Sequence, residues 1–319
     1  MLTKEDFKRK INKVGSSGVA TILGINEYET QHEFVRRWRG EIPAKVATPP
    51  MIAGILLEAP IAGLYMKLTG NVIIPASGTT YEHPDHDWKI SHPDYLDEYG
   101  NPVEIKNVGR YSAHKWGPDG SDEVPLGPLC QVVDQCTLLK RNTAYIVAYF
   151  GGADLRTYKL SIPEEVKENQ LAKVISFYYK YLETDNGEYP TASGSDLSIL
   201  NTVYEGSNDE DITVNDEVLR AVNKYSYIKS LLDQNQVELD EAQAEIKSYM
   251  EEATRLVGAD GNPILTWKRN KDSSKVDYKG LVKHLDPDRT TISRFTETRI
   301  GNRSIRLIKS KQKEVTKDD

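Results

Sequence analysis

The segment from His92 to Lys106 places an Asp, a Glu and a Lys where they could form a divalent-metal site with a built-in cation, which suits hydrolysis of a phosphodiester. Gly100-Asn101-Pro102 is a turn signal, and the residues on either side of it read as two strands of a hairpin. A period of two sends Glu104 and Lys106 to one face of the second strand and Val103 and Ile105 to the other. Asp94, on the first strand, converges on the same spot. Carboxylates are hard oxygen ligands, so Asp94 and Glu104 suit Mg²⁺ where His or Cys would not. A divalent ion lowers the pKa of a bound water and screens the phosphate charge. A lysine beside it orients or deprotonates that water, or stabilises the charge that builds in the transition state. Asp97 competes with Asp94 as a ligand. The alternation puts 94 and 96 on one face and 97 on the other, which favours Asp94. Taken alone, the spacing also fits a surface hairpin with solvated charges.

The neighbouring elements must position this hairpin. Short helices are predicted near 3–10, 15–23 and 30–39, and a longer one over Ala53–Leu68. Strands follow near 71–74, 88–91, 94–97 and 102–106, then a helix over Leu129–Leu139. Ala144–Phe150 and Arg156–Leu160 read as strands joined by a Gly-rich turn, and Glu164–Leu182 as a helix capped by Ser161. Two further residues sit where they could complete a site. Glu58 is an acid among apolar residues near Pro60, and Gln131 opens the 129–139 helix. An exposed helical acid and a polar residue at a helix boundary are the plainer readings of these two.

Composition bounds the answer. Of 319 residues, 28% are charged and the net charge is -7, which argues mildly against a protein that coats DNA but leaves room for a local basic channel. Acids crowd the middle of the chain and basic residues the last fifty-odd. No apolar run reads as membrane-spanning, and no secretory signal opens the chain, so a cytoplasmic protein is expected. Cys130 and Cys136 are too few for a disulfide framework and read as buried apolar residues. The chain divides into a first domain over 1–190, a Gly/Ser/Asn-rich crossing segment over 191–213, a helical and β-containing extension over 214–310, and a charged tail over 311–319. In the extension, Val218, Val222, Tyr225, Ile228, Leu232, Leu239, Ala242, Ile246 and Tyr249 form a coiled-coil-like stripe, which we read as the face of a core-facing helix.

Taken in order, the motifs of the first domain resemble the YqaJ-type viral recombinases, phage exonucleases related to lambda exonuclease. Gly15-Ser16-Ser17-Gly18 resembles the family's opening helix, and Gly54 to Glu58, continuing to Thr69-Gly70, its second motif. His83 to Trp88 precedes the hairpin. Asp94, Glu104 and Lys106 match a PD-(D/E)xK core, and Gln131 with Lys140 to Tyr145 matches the helix and strand that follow. The match runs from about residue 10 to 185.

The resemblance implies an α/β (α+β) fold, a restriction-endonuclease-like central mixed sheet flanked by helices, with a C-terminal helical and small β extension. It implies an exodeoxyribonuclease that degrades one strand of duplex DNA from an end, 5′ to 3′. The product is a 3′ single strand for a single-strand annealing protein. Asp94, Glu104 and the Ile105 carbonyl would bind Mg²⁺, with Mn²⁺ substituting. Lys106 would act on the attacking water, Glu58 would hold a second metal or its water, and Gln131 would position Lys106 or the water. Arg9, Lys10, Ser16 and Ser17 would hold the 5′ phosphate. A homo-oligomeric ring, trimer favoured, would enclose the DNA, with no membrane involved. Rival readings are a DNA-end-binding or recruiting module with weak or no nuclease activity and an endonuclease on the same core. One residue departs from the family pattern: Tyr95 stands where a Gly is usual, and a positive φ there would strain it.

Overall fold

The computed structural model describes residues 13–76, 78–183, 187–208, 210–297 and 304–305. The chain forms two compact units, the first ending at Tyr204 and the second beginning at Glu205.

In the first unit, β1 (Val14–Gly15) leads through a 3₁₀ turn, Ser16–Gly18, into α1 (Val19–Ile22). Helix α2 (Gln31–Trp38) starts where the Thr30 side chain accepts the Glu33 N–H. Helix α3 (Pro49–Thr69) opens on prolines, whose missing N–H costs nothing in a first turn, and stops at Gly70 with φ of 74°. It runs longer than the predicted 53–68 and carries Pro60 within it. Strands β2 (Ile73–Pro75), β3 (Tyr81–His83), β4 (His86–Ser91), β5 (Tyr95–Asp97) and β6 (Pro102–Val108) follow. Helix α4 (Leu126–Leu139) then crosses to β7 (Thr143–Phe150), which turns into β8 (Asp154–Ser161). Helix α5 (Glu164–Phe177) continues as a π turn to Leu182. The predicted Ser161 cap is not formed: Ser161 ends β8 and Pro163 takes the N-cap position. Helix α6 (Leu197–Val203) closes the unit, anchored where the Thr30 hydroxyl donates to Asp196 at 2.5 Å and Arg36 donates to the Tyr204 hydroxyl at 2.8 Å.

The main sheet has the order β2-β5-β6-β7-β8 and is mixed. β5 and β6 are the antiparallel arms of the predicted hairpin, whereas β6 and β7 run parallel, with Glu104 beside Ile146. Parallel neighbours need a crossover, and α4 supplies it. Both faces of β6 are therefore covered. Val103 and Ile105 pack with Ile61, Ala62 and Tyr65 of α3. On the other face, Val108 and Ile146 pack with Val132, Val133 and Cys136 of α4. Cys130 and Cys136 are buried free thiols, and burial pushes the Cys136 thiol up to about 12. A second sheet, β1-β4-β3, is joined to α4 by a buried ion pair: Lys89 donates to Asp134 at 2.6 Å, the two side chains being 0% and 2% exposed.

By length and composition α3 is long and apolar enough to cross a membrane, which corrects the reading of the sequence on that point. Glu58 interrupts it midway, and Ile61, Ala62 and Tyr65 are buried against the sheet. We read it as a helix of the folded unit.

In the second unit, α7 (Asp216–Met250) is 35 residues long and begins at an Asn215 cap. A hairpin of β9 (Arg255–Val257) and β10 (Pro263–Thr266) follows, then α8 (Tyr278–Leu285) and α9 (Arg289–Arg294). Helix α7 is not the core-facing helix expected: every residue from Asp216 to Tyr249 is exposed. The helix expected near 3–10 lies outside the described residues.

The buried ion pair yields a first prediction. Asp134→Ala leaves the Lys89 ammonium buried without its partner and should cost about 3–5 kcal/mol, read by urea unfolding. Replacing both residues with apolar ones (Lys89→Met with Asp134→Leu) should recover most of that. A small loss in the single variant would mean that water reaches Lys89.

Candidate active site

Strand β6 brings Glu104 and Lys106 to the face under α4, as alternation requires. Glu104 is 2% exposed, and a buried carboxylate needs donors. It has three. Lys106 Nζ donates to Oε1 at 2.6 Å, Gln131 Nε2 donates to Oε1 at 2.6 Å, and Gln135 Nε2 donates to Oε2 at 2.7 Å. Lys106 also donates to Gln131 Oε1 at 2.9 Å, so Glu104, Lys106 and Gln131 form a closed triangle. An ammonium has three N–H bonds. Two are engaged here, and the Lys106 side chain, 28% exposed, keeps one for a ligand.

Asp94 lies one residue before β5, and its Oδ2 accepts the Ile105 N–H at 2.8 Å. That bond pins the carboxylate to the strand between Glu104 and Lys106. Burial, then the negative charges of Glu104 and Glu58, push the Asp94 carboxyl up to about 8; Lys106 and the Ile105 N–H oppose the shift. Glu58, on α3, is raised for the same reasons, burial first and then Glu104. Burial works against the charge on Lys106, yet Glu104 and Asp94 hold its pKa above the ordinary value. Lys106 is thus an ammonium in this arrangement, suited to donating rather than to taking a proton.

Asp97 does something else. Its carboxylate accepts the Tyr99 and Asn101 N–H groups and the Asn101 amide, closing the turn before Gly100, which has φ of 78°. Tyr95 carries no strain: positive φ among described non-glycine residues occurs only at Lys140, Glu251 and Asp286. Its ring is buried between α3 and β6, filling space that a glycine would leave empty.

The remaining candidates are scattered. Ser16 is buried, its hydroxyl donating to Ser91 at 2.8 Å, while Ser17 is exposed. Arg9 and Lys10 lie outside the described residues. Among the described residues no three His, Cys, Asp or Glu side chains form a ready metal cage. Glu58 makes no hydrogen bond to Asp94 or Glu104, although each pair interacts electrostatically. Asp94, Glu104 and the Ile105 carbonyl remain as donors. That set fits Mg²⁺, which keeps several waters and takes one or two carboxylates. The charge fits too, since three carboxylates face a single ammonium, and the Glu104 charge helps to raise both Asp94 and Glu58. Gln135 was missed in the sequence. Its signal was there: Gln131 and Gln135 are four apart and share a helix face.

Hairpin, crossover helix and mixed sheet, with Asp94, Glu104 and Lys106 meeting at the hairpin, define a PD-(D/E)xK-type core. Residues 6–138 match the family model of the YqaJ-like viral recombinase domain. It is 22% identical over 275 residues to the uncharacterized protein YqaJ of Bacillus subtilis (strain 168), covering 84% of this chain and 83% of that one. Among solved structures it is similar to an alkaline exonuclease from Laribacter hongkongensis, at 17% identity and a TM-score of 0.47, covering 56% of this chain and 92% of that one. It is also similar to a phage-related exonuclease from Haemophilus somnus 129PT, at 12% identity and a TM-score of 0.42, covering 53% and 93%.

The raised Asp94 carboxyl has a consequence for stability. An unfolded Asp titrates near 3.8 and the native one near 8. Between those values the native state holds a proton that the unfolded chain has released, so native stability falls as pH rises through the window. In EDTA, wild type should lose thermal stability against Asp94→Asn from about pH 4 to 8. A pH-independent difference would show that Asp94 is ionised throughout.

Proposed function

We propose that this protein is a Mg²⁺-dependent exodeoxyribonuclease acting on ends of double-stranded DNA. It would remove one strand 5′ to 3′ and leave a 3′ single strand for an annealing protein in phage-type recombination. In this reading it works in the host cytoplasm as a homo-oligomeric ring, trimer favoured, with Mn²⁺ able to replace Mg²⁺. The observation that carries the nuclease reading is the closed triangle of Glu104, Lys106 and Gln131, with Asp94 fixed beside it through Ile105. An ammonium with one N–H to spare beside two carboxylates is machinery for a phosphodiester, and a DNA-end-binding module would have no need of it.

Each residue has a task in this mechanism. Asp94, Glu104 and the Ile105 carbonyl would hold the ion, and Glu58 would add negative charge on the α3 side. When bound, Mg²⁺ lowers the pKa of a water and screens the phosphate. Lys106 uses its remaining N–H to orient the attacking water or to stabilise charge on the phosphorane-like transition state. Gln131 keeps the Lys106 ammonium in place, and Gln135 holds the other oxygen of Glu104. At the 5′ end, Arg9 and Lys10 bind the phosphate, and Ser17 is the accessible hydroxyl of the serine pair.

End-labelled duplexes with 5′ phosphate or 5′ hydroxyl test this reading. Linear duplex should shorten from the 5′ end only with Mg²⁺, and closed circles should stay intact; nicked circles would favour the endonuclease reading. Lys106→Ala should lower the rate at least about 10²-fold while duplex binding persists. Undiminished cleavage would remove Lys106 from the site. Mg²⁺ should also raise the melting temperature of wild type near pH 8, and not that of Asp94→Asn. Loss of Arg9 and Lys10 should erase any preference for the 5′ phosphate.

A further inference from the structure

Helix α7 is more regular than a surface helix needs to be. From Val218 to Tyr249 ten positions recur at alternating intervals of three and four, all of them non-charged and all but Asn235 apolar or aromatic. Val218, Tyr225, Leu232, Leu239 and Ile246 occupy one heptad position, and Ala221, Ile228, Asn235, Ala242 and Tyr249 the other. A sustained three-four repeat of this length is the seam of a coiled coil. Within its own unit the seam is bare: Leu232 is 63% and Leu239 53% exposed, and Tyr249 79%. Only at the last turn does cover arrive, where Met250 is buried and Trp267 lies near Lys247. A helix of 35 residues spans roughly 50 Å, and a bare apolar stripe along it is unfavourable in water.

We infer that α7 pairs with α7 of a second copy of this chain, in antiparallel orientation. The residues select the orientation. Run antiparallel about a two-fold axis between Asp233 and Gln234, the seam sets each of its two alanines against a large residue. Tyr225 meets Ala242, Ile246 meets Ala221, and Leu239 meets Ile228. Val218 meets Tyr249 at the ends. Leu232 meets Asn235 on either side of the axis, so the one polar seam residue marks the centre and sets the register. The flanks agree as well: Lys224 lies beside Glu245 of the second copy, and by symmetry the reverse. Run parallel, the same helices would stack Tyr225 on Tyr225 and Ala242 on Ala242. The layers would be overfull and then hollow, which packed interiors do not tolerate. Lys224 would also face Lys229 of the second copy, a like-charge contact. The pairing uses neither the hairpin site nor its metal, so it stands apart from the nuclease reading.

Two measurements on the full-length protein decide this. Light scattering on wild type should give an even number of copies, a hexamer where two trimeric rings pair, and Leu232→Lys with Leu239→Lys should halve the mass. Lysine is a good helix former, so circular dichroism should be unchanged. Unchanged mass would overturn the pairing. Separately, a Tyr225→Cys variant mixed with an Ala242→Cys variant should oxidise to a mixed disulfide, with no crosslink in either variant alone. Crosslinks between identical variants would overturn the antiparallel orientation, and no crosslink in any mixture would overturn the pairing itself.

Discussion

The first unit is organised around one buried carboxylate. Glu104 sits inside the sheet-helix interface, where a carboxylate is tolerated only if its oxygens find hydrogen-bond donors. Lys106 meets it from its own strand. Gln131 and Gln135 meet it from the helix that follows, which obliges α4 to lie across β6 at one height. That helix is also the crossover that lets β7 run parallel to β6. The demand of one charged group and the demand of sheet topology are thus satisfied by the same element. Asp94 joins through a backbone bond rather than a side-chain one, so its place depends on the register of the β5–β6 hairpin.

Much of this was legible in the sequence. The Gly100 turn, the alternation around Glu104 and the apolar pattern of α4 are local signals, and each corresponds to an element of the expected type and place. What was not legible was long-range. Lys89 and Asp134 are 45 residues apart, and nothing in their neighbourhoods announces a fully buried pair. Tyr95 looked strained because a family habit was read as a backbone requirement; the strand is extended there and the ring packs in the core. Gln135 was overlooked because a glutamine on an apolar helix carries no meaning until its acceptor is known. The Ser161 cap failed for a local reason, since β8 extends through that residue and the helix begins beyond Pro163. In the second unit, the heptad stripe was plain, but the sequence could not say that its own unit would leave it uncovered.

Helix α4 is also tied twice, and the two ties face different ways. Gln131 and Gln135 bond Glu104 in the main sheet, and Asp134 bonds Lys89 in the smaller sheet. On a helix, residues 134 and 135 point about 100° apart. Two polar pins at such an angle fix both the rotational phase and the axial position of a rod, as two keys in one shaft would. Apolar contacts alone would let the helix roll by a few degrees with little change in area buried. The site therefore inherits its precision from polar contacts on two separate faces of one helix.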